Sequence, residues 1–360
     1  MQKIPVELQN DWLSQYLLSM GLIRLSQGKV RDTWSLRNLL GHDKFLLVVA
    51  SDRISIFDYV LKALVPLKGV SLTVLTHFWL TEVLKDFPHH LIPSKMNKQF
   101  NFAYDLRMGY LSKLPIERCL VVENLSGQMY PAELIFRGHV GGSIWPGYLE
   151  NGIVAGQQLP LGLQKWSKLD EPIFTPSTKA EFGNDINKDV DYFYNQMKNL
   201  GKEDEARQMV KDLKRAYEIA YAYAQKKGII ILDTKFEVGG KLADEILTPD
   251  SSRFAEEEDW KLAMEKGRDP KFLDKQPVRD WGATVLTPFL DDNCQPIIGI
   301  NKLKSENPEY EQYIEFVQNL EIPDWVISEA AERYPRICKM ITGYDLDDYL
   351  KNCMGAELRA

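Results

Sequence analysis

Apolar residues along this chain recur with two different periods, which predicts a mixture of helices and short strands. A repeat of three to four residues is typical of amphipathic helices, whereas short apolar runs bounded by glycine, proline or polar residues indicate strands. The predicted helices cover residues 8–20, 72–87 and 203–227, and the predicted strands cover 22–26, 33–36, 45–49, 119–123, 132–137 and 229–232. From about residue 255 the pattern is mainly helical, apart from a loop-like stretch at 282–308.

Two blocks of strands with interspersed helices favour an α+β fold with antiparallel sheets over a doubly wound parallel sheet, which needs a regular alternation of the two elements. A chain of 360 residues exceeds the usual size of one domain, so we expect two lobes. The polar stretch 124–131 interrupts the pattern and marks the boundary. The predicted parts are a small β-rich lobe at 1–124, a larger α+β lobe at 125–281, and a mainly helical extension at 282–360 that packs on the larger lobe.

Charge and composition exclude several classes of partner. The formal net charge is -7 and the sequence holds no long run of Lys and Arg, so we do not expect nucleic acid to bind. The 4 cysteines form no CxxC pair, which excludes a recognisable zinc ribbon. The N-terminus lacks an apolar signal core, and no stretch approaches the roughly 18 apolar residues that span a bilayer. We therefore expect a cytoplasmic protein with no membrane partner.

Residues 233–245 form the most informative segment. Strand alternation places Asp233, Lys235 and Glu237 on one face, and Gly239–Gly240 is a signal for a two-residue hairpin turn. This register sets Lys235 opposite Asp244, so that three carboxylates and an ammonium group share one face. Because Mg²⁺ commonly takes one or two protein carboxylates, Glu237 and Asp244 are the predicted ligands. A solvated hairpin face with cross-strand ion pairs is the alternative.

Three other segments have the residues to bind anions. The glycine turn at 28–32 brings backbone N–H groups and two cations toward a triphosphate, although a plain surface hairpin has the same pattern. After a strand, Arg137 can form a bidentate fork with phosphate or carboxylate, and Ser143 lies at the end of the glycine-rich loop that follows. A structural glycine turn is the alternative there. The loop at 174–181 has two hydroxyls and an amine that suit a dicarboxylate, with helix capping as the alternative.

In this order, the motifs resemble those of the SAICAR synthetase family, the phosphoribosylaminoimidazole-succinocarboxamide synthases. The matching pieces are residues 28–32, Ala50–Asp58, Lys68–Gly69 with Leu72–Thr73, Arg137–Gly138 with Gly142–Ser143, Phe174–Glu181, Asp233–Glu237, Asp244–Glu245, Thr248–Arg253, and Asp274–Gln276 with Arg279. They cover roughly residues 24–281. Three segments depart from the family pattern, namely Val65–Gly69, Asn184–Lys188 and the long stretch 282–323.

The resemblance implies a two-lobed architecture related to ATP-grasp proteins and kinases, with the nucleotide bound by the N-terminal lobe and the metal and ribotide bound by the larger lobe. The implied activity is the ATP- and Mg²⁺-dependent condensation of L-aspartate with a carboxylated aminoimidazole ribotide, through an acyl phosphate, in purine biosynthesis. A kinase-like phosphotransferase and a non-catalytic nucleotide-binding relative are the alternatives. A monomer is favoured.

The resemblance also implies a role for particular residues. It assigns ATP to Gly28, Lys29, Arg31 and Glu123; the ribotide to Arg137, Ser143, Lys235, Arg253, Lys275 and Arg279; aspartate to Ser177, Thr178, Lys179 and Asp185; magnesium to Glu237 and Asp244; and catalysis to Lys179, Asp233 and Lys235. Asp52 and Asp58 lie in a family signature, where they either contact a ligand or brace the loop.

Overall fold

The computed structural model describes residues 4–9, 11–92, 116–179 and 186–358. Its strands are β1 (Ile23–Gln27), β2 (Arg31–Ser35), β3 (Phe45–Ala50), β4 (Arg53–Ile56), β5 (Tyr59–Leu64), β6 (Cys119–Glu123), β7 (Ala132–His139), β8 (Ile153–Val154), β9 (Gln157–Gln158), β10 (Lys168–Phe174), β11 (Ser177–Thr178), β12 (Ile229–Val238), β13 (Leu242–Ala243), β14 (Ser252–Glu256), β15 (Leu286–Leu290) and β16 (Pro296–Ile298). Its α-helices are α1 (Val6–Gln9), α2 (Trp12–Ser19), α3 (Arg37–Leu40), α4 (Lys68–Phe78), α5 (Trp145–Asn151), α6 (Val190–Asn199), α7 (Glu203–Gln225), α8 (Glu257–Lys266), α9 (Gln276–Gly282), α10 (Tyr310–Gln318), α11 (Asp324–Thr342) and α12 (Leu346–Tyr349).

The first sheet has four antiparallel strands in the order β1-β2-β3-β6. Its strands are rich in Val, Leu and Ile, which suit a half-buried pleated surface. Leu13 and Leu17 of α2 pack with Trp34 of β2 and Leu47 of β3 in one buried cluster. The glycine turn at 28–30 joins β1 to β2, so this sheet carries the predicted phosphate-binding segment at its edge.

The second sheet has β7 and β12 at its centre, with β10 and β11 pairing to β7, and β13 and β14 pairing to β12. Helix α7 covers one face, where Leu213 and Tyr217 join the largest buried cluster of the described chain together with residues from α4, β7 and β12. Gly228, which has a positive φ of 74°, lies between the end of α7 and the start of β12 and allows the tight turn that joins them. The apolar start of β12 is therefore buried, while its end reaches the site.

The β4–β5 hairpin is held by the C-terminal region. Its turn consists of the two residues Phe57 and Asp58, because Ile56 pairs with Tyr59. Both turn residues have positive φ, 48° and 68°, as a tight hairpin turn requires but bulky residues seldom adopt. The Tyr59 hydroxyl donates to the Leu303 carbonyl at 3.0 Å, which fixes the hairpin against residues that follow β16.

The structure confirms a mixed helix and strand fold, and all pairs between these strands are antiparallel. The strand predicted over 119–123 has those bounds, and the helix predicted over 203–227 is α7. The stretch 282–308 is not a plain loop, since β15 and β16 form a hairpin within it. The division into parts at 1–124, 125–281 and 282–360 stays a prediction. Within the described residues, no helix combines the length and apolarity that a bilayer span needs.

The predicted register of the 233–245 hairpin is wrong by one residue. Val238 pairs with Leu242 and Glu237 with Ala243, so the loop contains three residues, 239–241. Both favoured types of two-residue turn need positive φ at their first residue, which would be Gly239, but of the two glycines only Gly240 has positive φ, at 72°. The ladder ends there and Asp244 has a left-handed backbone, with φ 58°. This bend aims Asp244 at the site in spite of the changed register.

Candidate active site

One cavity of about 950 Å³ lies between the two sheets, a volume suited to small-molecule substrates. Of the residues predicted for the site, those that line it are Gly28, Lys29, Arg31, Arg137, Ser143, Lys179, Asp233, Lys235, Glu237, Asp244, Arg253, Lys275 and Arg279. Three others are not among its lining residues. Glu123 pairs with Lys241 at 2.7 Å, and Ser177 and Thr178 form β11 beside β7. Asp185 lies outside the described residues.

Asp233 holds two arginines together. The Arg137 Nη1 group donates to its Oδ2 atom at 2.6 Å, and the Arg253 Nη1 group donates to the same oxygen. The strand register explains both contacts, because Asp233 on β12 lies opposite Arg137 on β7 and opposite Arg253 on β14. Burial alone would raise the pKa of the Asp233 carboxyl, but the two guanidinium groups outweigh it and hold the pKa below its usual value. The Asp233 carboxylate therefore orients the two arginine side chains and is a weak proton acceptor.

The rest of the Arg137 side chain is also fixed. Its Nε atom donates to the Thr175 hydroxyl at 2.9 Å, and its Nη2 atom donates to the Ser143 hydroxyl at 3.1 Å. Arg253 stacks over the Trp166 ring at 5.6 Å, which restricts its guanidinium further. Both arginines therefore present their forks to the cavity in one arrangement.

Lys235 lies between two carboxylates. Its ammonium group is 2.6 Å from Glu133 and 3.7 Å from Glu237. Burial would lower its pKa, but these carboxylates outweigh that effect and raise it. Lys179 forms an ion pair with the other carboxylate oxygen of Glu237. Sequence reasoning missed Glu133, although the alternation of side chains along β7 places Glu133 on the same face as Arg137.

Arg31 links the glycine turn to the end of the hairpin. Its guanidinium lies 2.7 Å from Asp244 and 2.9 Å from Glu245. Burial, followed by the nearby carboxylates of Glu237 and Glu245, raises the pKa of Asp244 to about 6, although Arg31 opposes the shift. Three carboxylates therefore crowd one end of the cavity, and Arg31 only partly offsets their repulsion.

The glycine turn approaches its own chain closely. A Cβ atom on Gly28 would lie 2.8 Å from the Arg31 carbonyl oxygen, so a larger residue would disrupt the turn. Lys29 forms an ion pair with Asp58 at the tip of the β4–β5 hairpin. Asp52, by contrast, accepts from Arg118 and from the Gly69 N–H group, both at 2.8 Å. Asp58 thus faces the cavity, whereas Asp52 braces the loop.

A second group of cations lies near α9, at one end of the cavity. Arg279 pairs with Asp274 at 2.8 Å, and the fully buried Lys68 pairs with Asp250 at 2.7 Å. Lys275 is 9% exposed. Burial, the neighbouring Arg279 and other cations lower its pKa to about 8, although Asp250 opposes the shift. Sequence reasoning gave Asp250 no role, and its position in the Thr248–Arg253 motif was the available signal.

An apolar recess adjoins the charged cavity. Its apolar walls are Val48 of β3, Leu72 of α4, and Leu120 and Val122 of β6, and Arg31 and Asp244 lie at its charged end. The recess holds only about 20 Å³, so it offers an apolar contact to a ligand in the adjoining cavity but is too small for a whole ring.

Two carboxylates at the hairpin end, Glu237 and Asp244, have the donor chemistry that Mg²⁺ prefers. Within the described ranges, no cluster of three or more His, Cys, Asp or Glu side chains forms a complete metal cage. The residues fit a magnesium ion that keeps water and substrate oxygens among its ligands. Burial and the neighbouring carboxylates raise the pKa of Asp244, and a cation bound there would relieve that repulsion.

The fold and the cavity together define a class, an α+β protein whose two sheets enclose a cavity rich in cations and suited to anionic small molecules. The family model described as SAICAR synthetase matches residues 24–293. This chain belongs to the SAICAR synthetase family, and it is an ATP-dependent ligase of purine biosynthesis.

Known proteins support the assignment along most of the chain. The phosphoribosylaminoimidazole-succinocarboxamide synthase of Lachnospira eligens is 35% identical over 334 residues, which cover 89% of this chain and 95% of that protein. The synthase of Elusimicrobium minutum is 39% identical over 265 residues, covering 71% of this chain and 83% of that protein. The structure of the Saccharomyces cerevisiae SAICAR synthase complexed with SAICAR has a TM-score of 0.66 at 29% identity and covers 90% of this chain and 96% of that one.

Proposed function

We propose that this chain condenses L-aspartate with 5-amino-1-(5-phosphoribosyl)imidazole-4-carboxylate, with ATP converted to ADP and phosphate. The observation that carries the proposal is that one cavity brings the carboxylates of Glu237 and Asp244 together with eight Lys and Arg side chains named from the sequence: Lys29, Arg31, Arg137, Lys179, Lys235, Arg253, Lys275 and Arg279. Joining three anionic substrates requires this density of cations, because their mutual repulsion must be offset within a small volume.

The chemistry needs an activated carboxylate. A carboxylate does not accept an amine directly, because an oxide ion would have to leave. Transfer of the ATP γ-phosphoryl group to the ribotide carboxylate gives an acyl phosphate and ADP. The aspartate amine then attacks the acyl carbon, the amide bond forms, phosphate leaves with the bonding pair, and the amine loses a proton. Asp233 is a poor candidate to accept that proton, because two guanidinium groups hold its carboxylate in the ionised form.

We assign the nucleotide to the end of the cavity formed by the first sheet, in an arrangement of two lobes like that of ATP-grasp proteins and kinases. The purine is assigned to the part of the cavity beside Val48, which also lines the apolar recess, and the phosphates extend toward Lys29 and Arg31. Glu123 lies on the edge strand β6, pairs with Lys241 and does not line the cavity, so its contact with ATP stays a prediction from the sequence. Magnesium belongs at Glu237 and Asp244, where it would supply positive charge to the phosphate oxygens during transfer.

We assign the ribotide to the arginine pair. Arg137 and Arg253 are already oriented by Asp233, so a phosphate or carboxylate binds them without reorganisation. Ser143, Lys235, Lys275 and Arg279 complete this subsite. Aspartate is assigned to Lys179 with the neighbouring Ser177, Thr178 and Asp185. A cytoplasmic monomer stays the prediction from the sequence.

A steady-state assay tests the proposal. ADP release should require both aspartate and the carboxylated ribotide, and the product should contain a new amide. ADP formed without aspartate would instead support a phosphotransferase. Binding of ATP without turnover under any substrate combination would support a non-catalytic relative and would overturn the ligase proposal.

Arg253→Ala should raise KM for the ribotide by about 10² to 10³-fold, because a hydrogen-bonded charged group contributes roughly 3–4 kcal/mol when oriented toward an anion. The KM for ATP should change less than threefold. Initial rates with each substrate varied in turn measure the difference, and Arg336→Ala, which removes an exposed arginine paired with Glu256, is the control. A rise confined to ATP would contradict the ribotide assignment.

The KM for the ribotide should rise as the pH increases through about 8. The pKa of Lys275 is lowered to about 8, so the ammonium is charged below this pH and neutral above it. A neutral Lys275 loses its attraction for phosphate, so KM should approach a tenfold rise per pH unit. Lys275→Arg, whose cation persists throughout, should give a flat profile between pH 7 and 9. The same upturn in wild type and variant would exclude Lys275 as its cause.

A further inference from the structure

The carboxylate of Asp250 is fully engaged by two partners from distant parts of the chain. Its Oδ2 atom accepts from the Lys68 ammonium at 2.7 Å, and its Oδ1 atom accepts from the Tyr334 hydroxyl at 2.8 Å. Lys68 also lies 5.5 Å from the centre of the Tyr334 ring. Both partners are completely buried, so the carboxylate has one fixed orientation.

Lys275 lies near this carboxylate and remains unpaired. Among the described residues, its ammonium group has no hydrogen-bond acceptor or ion-pair partner. The charged groups that act on it are Asp250 from the loop before β14, Arg279 from α9, Lys68 from α4 and Lys29 from the glycine turn. Three of these four groups are cations, and the single anion already binds Lys68 and Tyr334. Lys275 is therefore a buried cation whose charge is not locally neutralised.

The hydroxyl of Tyr334 decides how the Asp250 carboxylate is shared. Without this donor, the Oδ1 atom would have an unsatisfied lone pair in a buried site and would turn toward the unpaired ammonium group of Lys275, on which Asp250 already acts. Burial raises the pKa of Tyr334 well above its usual value, so the hydroxyl stays a donor over the whole working pH range.

Building on the ribotide assignment above, we propose that Tyr334 of α11 is a positioning residue for the ribotide: it holds Asp250 on Lys68 and thereby leaves Lys275 open to the substrate phosphate. Helix α11 thus contributes to substrate affinity through a hydrogen bond to Asp250, a residue that lines the cavity, without contacting the substrate.

Tyr334→Phe tests this role. We expect KM for the ribotide at pH 7 to rise about tenfold, while kcat and the KM for ATP change less than twofold. Because Asp250 would then pair with Lys275 and stabilise its charge, the rise of KM with pH should begin above pH 8.5. In the double variant Tyr334→Phe/Lys275→Gln, KM should match that of Lys275→Gln alone, since both changes act through one ammonium group.

Tyr349→Phe is the matched control. Tyr349 is equally buried in the C-terminal helices, and its hydroxyl lies 2.9 Å from His77 Nδ1, outside the residues that line the cavity. It should lose comparable thermal stability with no change in KM. Equal effects of the two variants on KM, additive effects in the double variant, or a rise confined to the KM for ATP would each overturn the role proposed for Tyr334.

A binding measurement separates this inference from the ligase activity. Calorimetry with ribose 5-phosphate requires no turnover, and Tyr334→Phe should weaken its binding about tenfold at pH 7. If wild type shows no ligase activity while this difference persists, the proposed reaction is wrong and the positioning role stands. Unchanged binding of ribose 5-phosphate alongside normal ligation would refute the role of Tyr334 alone.

Discussion

Glu237→Gln should reduce kcat by at least about 10³-fold, the largest effect expected from any single substitution in the cavity. The change removes one negative charge from the proposed magnesium site and leaves the side-chain shape intact, so the loss reflects electrostatics instead of packing. Glu237 also pairs with Lys179 and lies 3.7 Å from Lys235, and both cations would lose a partner.

Initial rates over a range of Mg²⁺ concentrations measure this effect, and the apparent Mg²⁺ requirement should rise together with the loss of kcat. Glu256→Gln is the control, because Glu256 is a partly exposed residue that pairs with Arg336. Thermal unfolding of both variants should stay close to wild type. A Glu237→Gln enzyme with full activity would remove this residue from the metal site.

Asp233→Asn should destabilise the fold by about 3–5 kcal/mol, because it breaks a buried ion pair and leaves two guanidinium groups without their shared anion. Arg137 and Arg253 would then repel each other in a largely buried site. Thermal or urea-induced unfolding measures the loss. Glu171→Gln removes an exposed ion pair with Lys214 and should leave stability unchanged.

Phosphate should restore part of the stability that Asp233→Asn loses. An anion bound between the two arginines replaces the missing charge, so the unfolding midpoint of the variant should rise more with added inorganic phosphate than that of wild type. Equal stabilisation of both proteins would mean that Arg137 and Arg253 do not face the anion site as a pair.

Local patterns predicted much of the architecture and most of the cavity. The strand β6 and the helix α7 follow directly from apolar spacing, and the alternation along β12 places Asp233, Lys235 and Glu237 toward one cavity. The predicted hairpin register was wrong, because a Gly-Gly pair allows both a two-residue and a three-residue loop. Only the φ of Gly240 and the pairing of Val238 with Leu242 distinguish them.

The contacts between distant segments could not be predicted in this way. Tyr334 reaches Asp250 across 84 positions of sequence, and no periodic pattern within either segment encodes that contact. Glu133 was missed for a different reason. Glu133 lies on the same strand as Arg137, and the alternation of side chains points both toward the cavity. There Glu133 forms an ion pair with Lys235.

The mutual pairing of charges in the cavity has a consequence for turnover. Lys29, Arg31, Lys179 and Lys235 each already have a carboxylate partner, so a substrate anion replaces an existing attraction instead of creating one from water. Only the difference between the two attractions contributes to affinity. In the proposed cycle, the protein's own carboxylates would return to these lysines and to the arginine as products leave, which would restore the cavity for the next turnover.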